Sequence, residues 1–395
     1  MDNRRRLTLA GCCAAHGVQD GLGATIYVLL PILAQAFGLG YAQVGIIRAA
    51  NNSAMALFEI PSGVLAERWG ERALLVFGLL CAGFGYLSVA AASGFVPILL
   101  ALFAAGLGAA FQHALSSSVV SKTFHDAGVR TALGAYNSSG DVGKLGFTAT
   151  LSLMIGAGLA WQGVVVAFGL VALLTAVGLW YVFRAVDVGG PPAHAAEPGA
   201  VAGRTDWGIR CRGAFTALAI IVFLDISVQG GFLTFLAFLM LAKEVPTGLA
   251  TFAVVLTLAG GIFGKLGCGW LAERIGVIRS LIIVQCLTAA GIAAVLAAAP
   301  LVAFFMLPLV GLVLQGSSSI TYATVSDLVR RERQSRAFAA IYTTASASAI
   351  VAPVTFGIIG DRLGLTPAML TMAGVVLLTI PLSALLRPAL TKRIA

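Results

Sequence analysis

The chain has 395 residues, of which 59% are apolar and 10% charged, with 47 glycines and a mean hydropathy of +0.97. That composition supplies too little polar surface to cover a water-soluble core, so it excludes a soluble enzyme or binding module and points to a polytopic helical membrane protein. The formal net charge of +9 is read as a record of membrane topology, not as a nucleic-acid-binding surface.

Twelve apolar runs are each long enough to cross a hydrocarbon layer of ~30 Å. They fall at 8–37, 42–65, 73–92, 95–120, 131–155, 160–183, 213–241, 247–271, 279–299, 301–326, 337–359 and 366–387. Before the first, RRRLTLAGC imitates a lipoprotein or twin-arginine signal. Only Leu7, Thr8 and Leu9 separate Arg6 from the would-be cleavage box ending at Cys12, whereas a signal peptide needs roughly 7–15 apolar residues there. Arg4 to Arg6 are therefore read as an anchor for span 1.

Span 1 places Cys12, His16 and Asp20 on one helical face. His16 stands one turn from Asp20, a spacing suited to a proton relay. The same three residues carry metal-ligand chemistry, but the ends of the row are ~12 Å apart, so one ion could touch only two of them. No metal is assigned. Span 2 carries Arg48, Asn52, Met55 and Glu59 as a stripe, followed by the charged turn GVLAERWGER with Glu67, Arg68 and Arg72. Span 4 holds Gln112 and His113. Span 5 presents Asn137, Asp141 and Lys144 on one face; Asp141 and Lys144 either neutralise each other or, if substrate parts them, leave Lys144 as an anion anchor.

Residues 187–206, rich in Pro, Gly and Ala, read as a linker. They divide the chain into an N-terminal six-helix bundle (1–186), a linker (187–212) and a C-terminal six-helix bundle (213–395). Span 7 carries Asp225 and Gln229, span 8 Lys265, span 10 Gln315 and span 11 Tyr342. Asp20 lies 14 residues past Arg6 and Asp225 lies 13 past Arg212, which puts both ~20 Å into the bilayer, near its midplane. A charge at that depth costs a few kcal/mol and is a functional candidate by default. The six cysteines form no C-x-x-C pair and read as buried thiols.

With both termini cytoplasmic, only Lys243 and Arg362 lie outside and Arg48, Lys144 and Lys265 lie within spans; the other 20 of 25 basic residues are cytoplasmic. The halves also match in order. Asp20 and Asp225, Leu65–Arg68 and Leu271–Arg274, Gln112 and Gln315, and Arg130/Tyr136 and Arg336/Tyr342 are separated by 203 to 206 residues. Duplication of a six-helix unit explains the common order and near-constant offset.

The turn after span 2 resembles the loop motif of the major facilitator superfamily, through Gly63, Leu65, Ala66, Glu67, Arg68, Gly70 and Arg72. Glu67 stands where the motif has Asp, and Glu71 where it has a basic residue. The resemblance implies twelve helices in two pseudo-symmetric halves, with spans 1 and 7 lining a central cavity. It also implies a gating role for Gly63, Glu67, Arg68, Gly70, Arg72 and, in the second copy, Glu273 and Arg274. A narrower resemblance, to fosmidomycin-resistance exporters and drug–proton antiporters, lies in AHGVQDGLG, Leu30-Pro31, Gln43-Val44-Gly45, GAAFQHALSSS and Gly134, Gly143 and Gly146. The proline after the histidine and the terminal Gly-Pro of the antiporter motif are missing.

Nucleotide-binding, H-E-x-x-H and Cys-rich motifs are absent from the sequence, so neither ATP drive nor enzyme chemistry is expected. The expected protein is a proton-coupled secondary transporter, without cofactor, monomeric, in a bacterial inner membrane. Its substrate is a small organic anion or zwitterion moved by alternating access, as an exporter; uptake by symport is the alternative, and metal transport a weaker one. Asp20, Asp225, Glu59, Asp141 and His16 are the proton-coupling candidates. Arg48, Asn52, Gln112, His113, Asn137, Lys144, Gln229, Lys265, Gln315 and Tyr342 are the substrate-binding ones.

Overall fold

The computed structural model describes residues 2–124, 128–191, 208–330, 334–387 and 389. Residues 192–207 of the linker, 331–333 of the turn after span 10, and the side chains of Arg130 and Arg336 lie outside this set.

The described chain is helical throughout, as a lipid-embedded backbone must be when water cannot satisfy its N–H and C=O groups. The helices are α1 (Asn3–Phe37), α2 (Tyr41–Trp69), α3 (Glu71–Ala90), α4 (Phe95–Ala110), α5 (His113–Thr123), α6 (Val129–Gly156) and α7 (Trp161–Ala185). After the linker come α8 (Arg212–Ala242), α9 (Thr247–Ile275), α10 (Val277–Ala297), α11 (Pro300–Leu328), α12 (Gln334–Leu363), α13 (Leu365–Leu377) and α14 (Thr379–Ala384). Twelve spans result, because α4 with α5 and α13 with α14 are each one crossing interrupted by a turn. Ten are apolar enough to cross a membrane by composition alone. The other two, α2 and α6, are just as long but carry Arg48 and Glu59, and Asp141 and Lys144.

Contacts divide the chain into two compact units, Met1–Leu39 with Ile46–Val201, and Gly40–Gly45 with Ala202–Ala395. Within the first, α1 packs closest on α6, and α3 packs on α4 and α7. Within the second, α9 packs closest on α11, and α8 lies against α12. In the second unit Asp361 also accepts hydrogen bonds from the backbone N–H groups of Tyr41 (2.7 Å) and Ala42 (2.9 Å).

The turns repeat with the sequence. Left-handed backbone occurs at Gly38 (φ 63°) and Glu244 (φ 62°), at Gly70 (φ 79°) and Gly276 (φ 87°), and at Gly158 (φ 85°) and Gly364 (φ 95°). Each pair is 206 positions apart, the offset of the repeated Leu-Ala-Glu-Arg. Glycine adopts this conformation at no steric cost; Glu244 is the one member of the six that is not glycine.

Candidate functional site

The close approach of α1 and α6 assembles a cluster of ionisable side chains within the first unit. Gly143 lies directly against the backbone carbonyl of Gly17, and a Cβ at Gly140 would stand 2.7 Å from Asp20 Oδ2 and from the His16 ring. With nothing but hydrogen on those Cα atoms, the polar side chains of both helices reach one point. Asp20 Oδ2 lies 3.0 Å from Lys144 Nζ and 3.3 Å from His16 Nε2, while Oδ1 lies 3.5 Å from His113 Nε2. Lys144 Nζ also reaches Asp141 Oδ1 at 3.4 Å. The Asp20 side chain is 10% exposed, against 35% for Lys144 and His113.

His113 arrives from the interrupted span. The expected continuous helix over 95–120 breaks at Phe111–Gln112, without proline, and His113 opens α5. Gln112 bridges the break by donating to Ser116 Oγ (3.3 Å) and accepting from the Tyr136 hydroxyl (3.4 Å). The Tyr136 ring stacks on His16 at 4.2 Å, and His113 meets His16 edge-on at 5.3 Å.

Hydrogen-bond chemistry restricts the protons here. His16 Nδ1 is 2.8 Å from the Tyr136 carbonyl oxygen, which can only accept, so Nδ1 carries hydrogen. His16 Nε2 then faces the Asp20 carboxylate. That contact is attractive only if a second proton resides on the pair, on either the imidazole or the acid. A proton on either member would complete the contact. Three ligand-type atoms, from His16, Asp20 and His113, do lie within 4.8 Å of one another. The Lys144 ammonium already sits on that carboxylate, and its charge opposes a divalent ion at the same place. Cys12, the third member of the sequence row, turns away and donates weakly to Ser116 O (3.9 Å).

The α2 stripe has a different partner set. Arg48 donates to the Tyr27 hydroxyl (2.8 Å), Gly23 O (3.4 Å) and Asn51 Oδ1 (3.4 Å), and its guanidinium lies 4.2 Å from the centroid of the Tyr27 ring. Those partners are all neutral, and Arg48 makes no ion pair among the described residues. Asn51, next to Asn52, ties α2 to α4 by donating to Leu102 O (2.9 Å). Glu59 and Asn52 are half-buried and Asn137 is exposed.

In the second unit Asp225 is 3% exposed. Its Oδ1 accepts from Gln285 Nε2 (2.8 Å) and its Oδ2 from the Ser317 hydroxyl (2.7 Å). Sequence reasoning missed both donors. Gln229, one turn from Asp225, donates instead to Leu314 O (2.9 Å), and Gln315 to Thr257 O (3.3 Å). Ser317 is two residues from Gln315, but a serine in a membrane helix usually bonds its own backbone and gives no warning. Lys265 is half-buried in α9, and Tyr342 is exposed beside Tyr322 at 5.1 Å.

The repeated turn divides its charges unequally. Gly63, Glu67 and Arg68 are exposed, as are Glu273 and Arg274, whose guanidinium lies 5.3 Å from the Trp270 ring centroid. Gly70 packs against Gly189 and Gly190, and Arg72 donates to Phe183 O (3.4 Å) with its guanidinium 5.3 Å from Trp180. Glu71, where the sequence departs from the loop motif, is buried and paired with Lys122, with Ser118 donating to it at 3.2 Å. These residues line a cavity of about 780 Å³ with Arg4, Arg5 and Asp187.

The sequence profile of the Major Facilitator Superfamily matches residues 12–316 and 218–394. The chain belongs to the Major Facilitator Superfamily. It is 29% identical over 383 residues to the uncharacterized MFS-type transporter YfnC of Bacillus subtilis (strain 168), covering 93% of this chain and 89% of that one. It is 38% identical over 128 residues to the class G tetracycline resistance protein of Vibrio anguillarum, or 31% of this chain and 33% of that one. The fold matches the crystal structure of a bacterial homologue of the human lysosomal transporter Spinster, inward-facing and occupied, with a TM-score of 0.84 at 16% identity, covering 99% and 98% of the two chains. The protein is thus a multi-pass membrane transporter of the superfamily, a class that handles small molecules.

Proposed function

We propose that this superfamily member is a proton-coupled secondary transporter that exports a small organic anion or zwitterion across a bacterial inner membrane. Its termini would be cytoplasmic, and it would work by alternating access. The observation that carries the reading is the Asp20 carboxylate, which meets Lys144, His16 and His113 at 3.0 to 3.5 Å. A proton on the His16–Asp20 pair loosens the hold of Asp20 on Lys144, and its loss restores that hold. Proton binding therefore changes the charge offered to a substrate at the same place. An anionic group is supported by Arg48, whose described partners are all neutral. Export is supported by the partial likeness to a tetracycline resistance protein. The repeated cytoplasmic turns, through Glu67, Arg68, Arg72, Glu273 and Arg274, would serve as gates.

Proteoliposomes with an imposed pH gradient, screened over small organic anions and zwitterions, test this directly. Wild-type protein should move substrate against the proton flow. Asp20→Asn should abolish gradient-driven transport and leave substrate exchange without a gradient. Transport indifferent to the pH gradient would remove proton coupling. Full gradient-driven transport in Asp20→Asn would remove Asp20 from it.

A further inference from the structure

Asp20 and Asp225 occupy matching places in the repeat, yet their partners differ in one chemical respect. Asp20 has the Lys144 ammonium beside its two histidines, whereas Asp225 has neutral partners alone among the described residues. Both partners of Asp225 can donate or accept. The Ser317 hydroxyl lies 2.7 Å from Asp225 Oδ2 and 3.1 Å from the carbonyl of Leu314 in its own helix. Gln285 donates from Nε2 to Oδ1, and its other amide atom, Oε1, is buried without a hydrogen-bond partner.

We propose that Asp225 is a second proton-binding site, and that Ser317 is the positioning residue that lets it hold either state without moving a heavy atom. In the ionised state Ser317 donates to Oδ2. When a proton is taken up from water, it becomes the O–H of the Asp225 acid and donates to Ser317 Oγ. The serine hydrogen rotates to Leu314 O, so the Ser317 hydroxyl and Asp225 Oδ2 stay paired in both states and no bond between heavy atoms changes. For a proton on Oδ1 the amide of Gln285 would have to turn, a heavy-atom movement, to offer Oε1 in place of Nε2. Burial without such a partner would penalise one of the two states.

The neighbours of Asp225 fit this role. The titratable groups facing it are Cys268 on α9 and Tyr322 on α11, with Tyr342 of α12 packed on Tyr322. Helices α13 and α14 contribute no titratable side chain. Among the described residues no Lys, Arg or His pairs with Asp225. No basic side chain therefore competes with a proton for this carboxylate among the described residues.

The proposal deepens the proton-coupled reading above, and its test does not depend on transport. Reconstituted wild-type protein is titrated with acid and followed by infrared spectroscopy, reading the C=O stretch of protonated carboxylic acids. A band that shifts in heavy water should be lost in Asp225→Asn and retained in Asp20→Asn. It should move to higher frequency in Ser317→Ala, because the acid loses its acceptor. Ser317→Thr, which keeps the hydroxyl, should restore the wild-type frequency. An Asp225→Asn spectrum identical to wild type at every pH would overturn the proton site, and a band unmoved in Ser317→Ala would overturn the role of Ser317. If the band behaves as stated while transport ignores the pH gradient, the coupling reading fails and this site stands.

Discussion

Asp20 and Lys144 are a pair whose members make each other tolerable in the span. An ionised group left uncompensated when a buried partner is removed costs about 3–5 kcal/mol, whereas removing both is often close to neutral. Lys144 is about one-third exposed, so solvent screening discounts that figure for the lysine side of the contact. Lys144→Met should consequently destabilise the purified protein more than Asp20→Asn does, because Asp20 is the more buried partner and the partly exposed Lys144 can still use Asp141 at 3.4 Å. The double variant should melt closer to wild type than Lys144→Met alone. Thermal unfolding in detergent reads this directly, and additive losses in the double variant would mean that the two charges are not coupled.

Among the helices, the glycines of α6 separate a motif from the contact it resembles. Gly134, Gly143 and Gly146 carry the likeness to drug–proton antiporters. Only Gly143 meets another helix, at the backbone of Gly17, while nothing lies within 4 Å of a Cβ placed at Gly134 or Gly146. Gly140, outside the motif, does the rest by admitting Asp20 and His16. Gly143→Ala should therefore cost about 1–3 kcal/mol or more, since a methyl group against backbone cannot be relieved by a rotamer change. Gly146→Ala should be neutral or stabilise by roughly 0.5–1 kcal/mol through the helix propensity of alanine. Equal effects in a melting assay would show that α1 and α6 are not held at backbone distance. The broken crossing at Phe111–Gln112 belongs to the same scale. No proline stands at the break, so the periodicity reads as one helix; the turn is held by Gln112, Ser116 and Tyr136, which only the fold brings together.

For the whole molecule, topology follows from where basic residues are tolerated. Translocating Lys and Arg is disfavoured, so the expected orientation keeps the basic ends in the cytoplasm. In a cysteine-free background, Gly203→Cys in the linker should resist a membrane-impermeant thiol reagent added outside intact cells. Ala242→Cys, exposed at the end of α8, should react. The reverse labelling would invert the orientation. The repeat is visible at this scale too: three pairs of left-handed turns, each 206 positions apart, close corresponding helix connections in the two halves.

The sequence alone determined the membrane class, the number of spans and the residues whose burial needs an explanation. These depend on local composition and on the cost of placing a charge in hydrocarbon, and both are additive along the chain. It also brought His16 to Asp20 and Asp141 to Lys144, because those spacings are set by the helix itself. The tertiary structure decided the rest. It joined Lys144 and His113 to Asp20, gave Asp225 the neutral partners Gln285 and Ser317, and buried Glu71 against Lys122. Those partners come from different helices, and which helices touch depends on where glycine lets two backbones meet. Neither apolar periodicity nor charge count encodes that choice.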